Sequence, residues 1–194
     1  MIRAFVAIEL PPPLKGFLAE LGGRLLQEVP SGTLQRVRPD GIHLTLKFLG
    51  PIPESRLPQI DSQLEVWLRH QPGFQVQVGG LGCFPNLLHP RVVWVGARSP
   101  GGELDQLQRE IDQRLSIIGF SAEDRPFSGH LTLGRVRPSV RGDQLKQIGS
   151  TVGRMEETEH KSLEVGGVCL FQSDLRPTGA VYTRLREWRL RDLG

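Results

Sequence analysis

Two copies of one tetrapeptide, 43–46 and 130–133, carry the residue types in this chain that are best suited to chemistry; both read His-Leu-Thr-Leu. In an extended strand residues i and i+2 point to one face, so each copy presents a histidine and a threonine together. Because the pKa of a free histidine is about 6.5, a facing pair can divide acid and base roles at neutral pH. The threonine hydroxyls can donate hydrogen bonds to an anion held between the two rings.

The duplication makes the histidines a candidate site. A single histidine on a strand is more typical of a solvated or locally hydrogen-bonded residue, but His43 and His130 share the same companion threonine at a spacing of 87 residues. One imidazole can take a proton from water while the other protonates the leaving oxygen, and each role is typically worth about 10²–10⁴-fold. This chemistry suits cleavage of a phosphodiester without a metal, with a strained five-membered cyclic phosphate as a natural substrate.

Motifs for other chemistries are missing from the sequence. Neither motif histidine belongs to a His-x-His or His-Glu-x-x-His pattern or has a carboxylate at a ligand spacing. The chain also has no phosphate loop ending in Lys-Ser/Thr and no Gly-x-Ser-x-Gly. We therefore expect no metal and no cofactor. His70, His89 and His160 fall near a helix end or in loop-like stretches and are weaker candidates.

Composition indicates a globular protein with 38% hydrophobic and 23% charged residues among 194. Of 24 basic residues, 20 are arginine. Arginine binds phosphate well through its planar fork, although a genome's base composition can favour it equally. No apolar run is long enough to span a membrane and the N-terminus lacks a signal pattern, so we expect a cytoplasmic location. We interpret Cys83 and Cys169 as two buried thiols.

The spacing of 87 residues recurs elsewhere in the chain. Residues 78–84 align at that offset with 165–171, and apolar positions between these segments align at 88. The sequence therefore predicts a single domain over 1–194 whose halves, roughly 1–97 and 98–194, form two lobes related by a pseudo-two-fold axis. Such an axis can bring the motif strands face to face across a central cleft.

Each half mixes strands and helices without regular βαβ alternation, which favours an α+β fold. We predict two pseudo-symmetric lobes, each with an antiparallel sheet and two helices. Leucines at helical spacing follow the prolines 11–13. The predicted helices cover about 14–25, 54–70, 104–118 and 143–152. The predicted strands cover about 5–10, 42–49, 74–84, 91–97, the second motif, 163–172 and 180–189.

Strict alternation assigns the faces of the motif strands. In 42–49, the apolar set ending in Phe48 forms the core face, and Lys47 shares the open face with His43 and Thr45. In the second copy Gly134 joins the open face, where it would let a ligand approach the backbone. Arg135 then falls on the core face, and it reaches the cleft only if the strand ends or bulges near Gly134.

At these residues the sequence resembles the 2H phosphoesterase superfamily, and within it the RNA 2′,3′-cyclic phosphodiesterase family, also called the 2′-5′ RNA ligase family. The resemblance covers nearly the whole chain. It rests on residues 3–8, 43–50, 91–96, 130–135, 170–173 and 179–182.

The resemblance implies a bilobal fold with both motifs lining a central cleft. It implies hydrolysis of a 2′,3′-cyclic phosphate, on an RNA 3′ end or a nucleotide, to leave a 2′-phosphate. By resemblance His43 is the proton donor to the departing 3′ oxygen and His130 is the proton acceptor that activates water. Thr45 and Thr132 would hold phosphate oxygens, and Arg135 matches the family's phosphate-contacting arginine. We expect a monomer without a membrane partner.

Two alternatives and one departure stay open. The same residues would serve 2′-5′ RNA ligation in the reverse direction, and a non-catalytic module that binds RNA ends is a third reading. Gly129 stands where the family usually has proline, and a glycine there could loosen the start of the strand. Four aromatic residues are candidates to stack a base, although aromatics on strands are more typical of a core: Phe48, Phe84, Trp94 and Tyr182.

Overall fold

The structure, a computed structural model, describes residues 1–155, 160–176 and 179–192. The helices are α1 (Pro12–Glu28), α2 (Leu57–His70), α3 (Glu103–Ile117) and α4 (Asp143–Arg154). The strands are β1 (Ile2–Ile8), β2 (Leu34–Arg36), β3 (Leu44–Ile52), β4 (Phe74–Phe84), β5 (Val92–Arg98), β6 (His130–Val136), β7 (Lys161–Val165), β8 (Gly167–Arg176) and β9 (Gly179–Arg189). No helix of the described ranges is long and apolar enough to cross a membrane.

The strands form two antiparallel sheets, and this confirms the α+β prediction. The first sheet has the order β3-β1-β8-β9 and the second has the order β2-β6-β5-β4-β7. Helices α2 and α3 pack on the first sheet, while α1 and α4 pack on the second. The order β3-β1-β8-β9 corresponds strand for strand to β6-β5-β4-β7, with each motif strand next to a seven-residue partner, β1 or β5. This correspondence is what a pseudo-two-fold relation between the lobes requires.

The lobes do not coincide with residues 1–97 and 98–194, contrary to the boundary expected from the repeat. Strand β4 pairs with β5 in the second sheet, whereas β8 pairs with β1 in the first. Helix α1 crosses from β1 to the second sheet, and α3 crosses from β5 to the first. The two halves thus exchange a helix and a pair of strands, since β4 and β5 join the second sheet while β8 and β9 join the first. The exchange follows from chain connectivity, because strands joined by a short loop, such as β4 and β5, pair most readily with each other.

Two strand predictions need correction. The predicted strand over 163–172 is two strands, β7 and β8, which separate at Gly166 and belong to different sheets. Strand β2 was missed, because three residues are too few to show alternation; it pairs with the end of β6. The other elements lie within a few residues of their predicted ranges.

One hydrophobic core links both sheets, as expected for lobes that share a packed body. The leucines predicted to line α1 are buried, and the apolar positions of the other helices join them in a single cluster. Helix α1 starts at a proline, where the missing amide hydrogen costs no helical bond. Both cysteines are buried thiols, as predicted. The two motif strands are therefore held by sheets that pack on one continuous interior.

Candidate active site

A β-bulge at Leu46 redirects the first motif strand. Thr45 pairs with Ala7 and Lys47 pairs with Val6, so Leu46 is an extra residue in β3. One extra residue inverts the side-chain alternation beyond it. Lys47 is only 1% exposed, whereas Phe48 is 67% exposed and faces the space between the sheets. The predictions that Lys47 shares the face of His43 and that Phe48 lies in the core are therefore wrong.

The second motif strand has the same irregularity at Leu133. Thr132 pairs with Trp94 and Gly134 pairs with Val93, which leaves Leu133 as the extra residue. Gly134 faces the interior, since a Cβ atom there would lie 2.9 Å from Cγ of Leu34. The prediction that Gly134 opens the backbone to a ligand is therefore wrong. Arg135 faces the cleft instead. This orientation requires a strand end or a bulge near Gly134, and the bulge at Leu133 provides it.

One cavity of about 560 Å³, here called the histidine cleft, lies between the motif strands. Its lining includes all five residues that the sequence singled out, which come from both sheets: His43, Thr45, His130, Thr132 and Arg135. Phe48, Phe84 and Tyr182 also line it, whereas the indole of Trp94 packs over Gly82. His43 lies just before β3, and His130 is the first residue of β6.

His43 sits in an aromatic cluster. Its ring stacks on Phe5 at a centroid distance of 4.5 Å, and the edge of Tyr182 lies 4.9 Å away. Burial lowers the pKa of His43 to about 4, and a hydrogen bond with the backbone of Gly41 only partly offsets this. Electrostatic interactions with His130 and Lys15 lower the pKa of His43 further. His43 is therefore neutral at pH 7 when the cleft contains no anion.

Sequence reasoning missed Phe5, although β1 carries a usable signal. The run from Phe5 to Ile8 is apolar at every position, and such runs are typical of strands covered on both faces. On the cleft side Phe5 packs with Ala7, Cys169 and Phe171 in a small second cluster. The surface of the first sheet beneath His43 is consequently apolar, which explains the burial of this histidine.

His130 is held by its own backbone. Its Nδ1 atom lies 2.7 Å from the carbonyl oxygen of Ser128. A carbonyl only accepts hydrogen bonds, so Nδ1 carries the proton and Nε2 of the neutral ring is left as an acceptor. The edge-on ring of Phe84 at 4.8 Å supports the imidazole from one side. This geometry leaves His130 able to receive a proton through Nε2.

Gly129 does not loosen the strand before His130. Its carbonyl oxygen accepts a hydrogen bond of 2.9 Å from the backbone of Ala97. A Cβ atom at Gly129 would lie 2.3 Å from the Ala97 carbonyl oxygen and 3.0 Å from Leu104. Glycine therefore permits a close approach between β5 and the segment that leads into β6.

Two arginines bring positive charge to the histidine cleft. Arg135 and Tyr182 both line the cleft. Burial raises the pKa of Tyr182, and the charge of Arg135 partly opposes this rise. Arg3 also lines the cleft, and sequence reasoning did not propose it as a site residue. Arg3 is two residues before Phe5 in β1, so alternation along the strand places both side chains on the cleft side. The cleft thus combines two imidazoles, the two threonine hydroxyls and two guanidinium groups.

Lys47 connects the first motif strand to the segment before the second. Its Nζ atom forms an ion pair with Asp112 on α3 and donates to the carbonyl oxygen of Ser121 at 2.7 Å. The other carboxylate oxygen of Asp112 accepts a hydrogen bond of 3.3 Å from the backbone of Glu123. This buried link fixes the segment that runs from α3 towards His130.

No group of three or more histidine, cysteine or acidic residues within the described ranges is arranged to hold a metal ion.

The chain is similar to known proteins over nearly its whole length. A model of the 2′-5′ RNA ligase superfamily matches residues 11–177. The RNA 2′,3′-cyclic phosphodiesterase of Methanothermobacter thermautotrophicus is 33% identical, covering 97% of this chain and 99% of the relative. That of Archaeoglobus fulgidus is 35% identical, covering 95% and 98%.

Two solved structures share the whole architecture. TT0787 of Thermus thermophilus superposes with a TM-score of 0.80 at 28% identity, covering 98% of this chain and 99% of the other. Escherichia coli LigT complexed with 3′-AMP gives a TM-score of 0.77 at 26% identity, covering 97% and 98%.

Proposed function

Because the chain belongs to the 2′-5′ RNA ligase superfamily, we propose that it is an RNA 2′,3′-cyclic phosphodiesterase that leaves a 2′-phosphate. Relatives that cover nearly the whole chain carry this activity in their names. The observation that carries the proposal is the histidine cleft, where two His-x-Thr pairs and Arg135 converge from different sheets. This set of groups suits a phosphate whose cleavage needs one proton removed and another supplied.

His130 acts as the general base in this proposal. Its Nε2 atom takes a proton from water, and the resulting hydroxide attacks phosphorus. The bond from phosphorus to the 3′ oxygen breaks, while the bond to the 2′ oxygen remains. The support for this role is the hydrogen bond from Nδ1 to Ser128, which leaves Nε2 as the acceptor.

His43 acts as the general acid and delivers a proton to the departing 3′ oxygen. Its pKa of about 4 leaves it neutral at pH 7. A bound cyclic phosphate places a negative charge beside the buried ring, and an opposite charge in a dry site favours the protonated imidazole. The substrate itself therefore supplies the charge that makes His43 an acid.

Thr45, Thr132 and Arg135 stabilise the phosphate in this proposal. The two hydroxyls donate hydrogen bonds to its non-bridging oxygens, and the guanidinium of Arg135 balances the charge that develops in the transition state. None of these steps uses a metal. Since both motifs come from one chain, a monomer is sufficient for the reaction, and we propose that it works as a monomer in the cytoplasm.

A short RNA ending in a 2′,3′-cyclic phosphate tests the proposal. We expect wild-type protein to release a 2′-phosphate end, in EDTA as well as without it. His43→Ala and His130→Ala should each lose at least about 100-fold in activity while circular dichroism shows an intact fold. Full activity in either variant would contradict the two-histidine mechanism, and loss of activity in EDTA would contradict metal independence.

A further inference from the structure

A second cavity of about 590 Å³, here called the side cavity, opens beside the histidine cleft. Both cavities are lined by Thr45, Phe48, Phe84, Val92 and His130, so they meet at the motif residues. The far wall of the side cavity is formed by α3, the residues before β5 and the segment 123–128. A volume of this size is within the range of small-ligand sites.

The far wall carries positive charge that the protein itself does not neutralise. Arg91 and Arg125 are both exposed, and neither forms an ion pair or hydrogen bond through its side chain within the described ranges. One carboxylate, Glu123, lies on the same wall. Free guanidinium groups beside a phosphate-binding cleft are suited to a second phosphate.

A buried amide faces the same cavity. Gln108 on α3 is only 4% exposed, and its side chain forms no hydrogen bond in the described part of the chain. The amide atoms of Gln108 are not fully buried and reach the side cavity. The amide can both donate and accept, as the edge of a nucleobase requires. Gln108 is therefore a polar group that a ligand in the side cavity can contact.

Aromatic rings supply the remaining surface. Phe48 is 67% exposed at the boundary between the two cavities, and Phe84 and Phe127 line the side cavity. Large exposed aromatics next to arginines are typical of surfaces that stack nucleobases. The bulge at Leu46 is what turns Phe48 to this position.

We propose that the side cavity binds the nucleotide that precedes the cyclic phosphate end of the RNA. The inference rests on the proposed function and adds a substrate preference to it. A chain whose terminal phosphate lies at the two histidines can continue past Thr45 and Phe48 into the side cavity. There Arg91 and Arg125 contact the linking phosphate, the base lies against the aromatic wall, and Gln108 bonds to its edge. The protein then prefers oligonucleotides to cyclic mononucleotides.

Matched substrates test this preference. Adenosine 2′,3′-cyclic phosphate ends at the histidine cleft, while the dinucleotide ApA with the same end also reaches the side cavity. We expect kcat/KM to be about tenfold higher or more for the dinucleotide, because stacking one base is typically worth that much. Arg125→Ala and Gln108→Ala should each lower the ratio of the two kcat/KM values several-fold. Arg98→Ala should leave the ratio unchanged, since Arg98 ends β5 about 20 Å from Val92.

Equal kcat/KM values for the two substrates in the wild type would overturn the proposal. So would an equal loss on both substrates in the Arg125 and Gln108 variants, which would assign the side cavity to the terminal nucleotide. Calorimetric binding of the 2′-phosphate products separates this inference from the proposed function. If neither substrate is hydrolysed, the proposed function fails, but tighter binding of the dinucleotide product that depends on Arg125 still supports the side cavity. Equal binding of the two products would reject it.

Discussion

The two motif strands share a β-bulge and differ in the side chains that follow it. Both β3 and β6 bulge at the third residue after the histidine, at Leu46 and Leu133. Beyond the bulge the first strand buries Lys47 and exposes Phe48, while the second buries Gly134 and exposes Arg135. Equivalent backbone positions thus present an aromatic ring in one lobe and a cation in the other. The two lobes repeat one fold, but Phe48 and Arg135 make the cleft between them asymmetric.

The histidines differ in their surroundings rather than in their motifs. His43 stacks on the aromatic floor of the first sheet, and burial there lowers its pKa. His130 is held through Nδ1 by a carbonyl. Identical tetrapeptides can therefore take opposite roles in proton transfer, because neighbours outside the motif lower the pKa of His43 and fix the tautomer of His130.

The largest effect should come from the residues buried by the bulges. Lys47→Met leaves Asp112 without its cation in a largely buried place, and we expect a loss of about 3–5 kcal/mol in the free energy of unfolding. Urea unfolding monitored by fluorescence measures it. The double variant Lys47→Met with Asp112→Leu should recover much of that loss, since it removes both charges. A loss as large in the double variant as in the single one would mean that the ion pair is not the cause.

The residues exposed by the bulges form a second matched pair. Arg135→Ala should lower kcat/KM for a cyclic mononucleotide about 100-fold, because it removes charge from beside the phosphate. Phe48→Ala at the equivalent position should lower it less than about tenfold, since an aromatic ring supplies no such charge. Steady-state assays on the two variants decide this. Equal losses would show that the asymmetry after the bulges has no catalytic consequence.

The burial of His43 should make the free energy of unfolding fall as the pH is lowered. Its pKa is about 6.5 in an unfolded chain and about 4 in the fold, so the unfolded state binds more protons between these values. Stability is therefore fully present near pH 7 and falls as the pH drops towards 4, by about 2 kcal/mol between pH 7 and 5. His43→Gln should remove this part of the acid sensitivity in urea unfolding, and His89→Gln is the surface control. An unchanged pH dependence in His43→Gln would reject the buried neutral ring.

The smallest expected effect is a change in the pKa of His43 when a phosphate binds beside its ring. Adding adenosine 2′-phosphate should raise the pKa of His43 from about 4 by at least about one unit, because the phosphate charge favours the imidazolium. Titration of the ring by NMR, with and without the nucleotide, measures the change. A pKa that stays near 4 would contradict the proposal that the bound phosphate favours protonation of His43.

Much of the site was predictable because strand alternation is a local property. The tetrapeptides identified His43, Thr45, His130 and Thr132 as residues that share a face, and all four line one cavity. Alternation failed beyond Leu46 and Leu133, since a bulge depends on how a strand pairs with its neighbour. The residues themselves, Leu-Lys-Phe and Leu-Gly-Arg, continue without a visible interruption. Lys47, Phe48 and Gly134 were consequently assigned to the wrong faces.

The exchange between the halves was hidden for a similar reason. The repeat at 87 residues correctly paired β4 with β8 as equivalent strands, but equivalence does not state which sheet each joins. That choice depends on the short connection between β4 and β5 and on where α1 and α3 pack. Gly129 is another residue whose role depends on distant contacts. From the sequence a glycine predicts a flexible backbone, but here its missing side chain permits close contact with the backbone of Ala97.

The residue types, their doubled spacing and the faces of the first three residues in each motif are predictable from the sequence, because these follow from a two-residue period within one strand. Other features appear only in the folded protein: Arg135 and Phe48 reach the cleft, Lys47 is buried, and His43 lies against an apolar aromatic surface. Each of these depends on contacts between strands and helices distant in the chain, where one extra residue in a pairing inverts every later side chain.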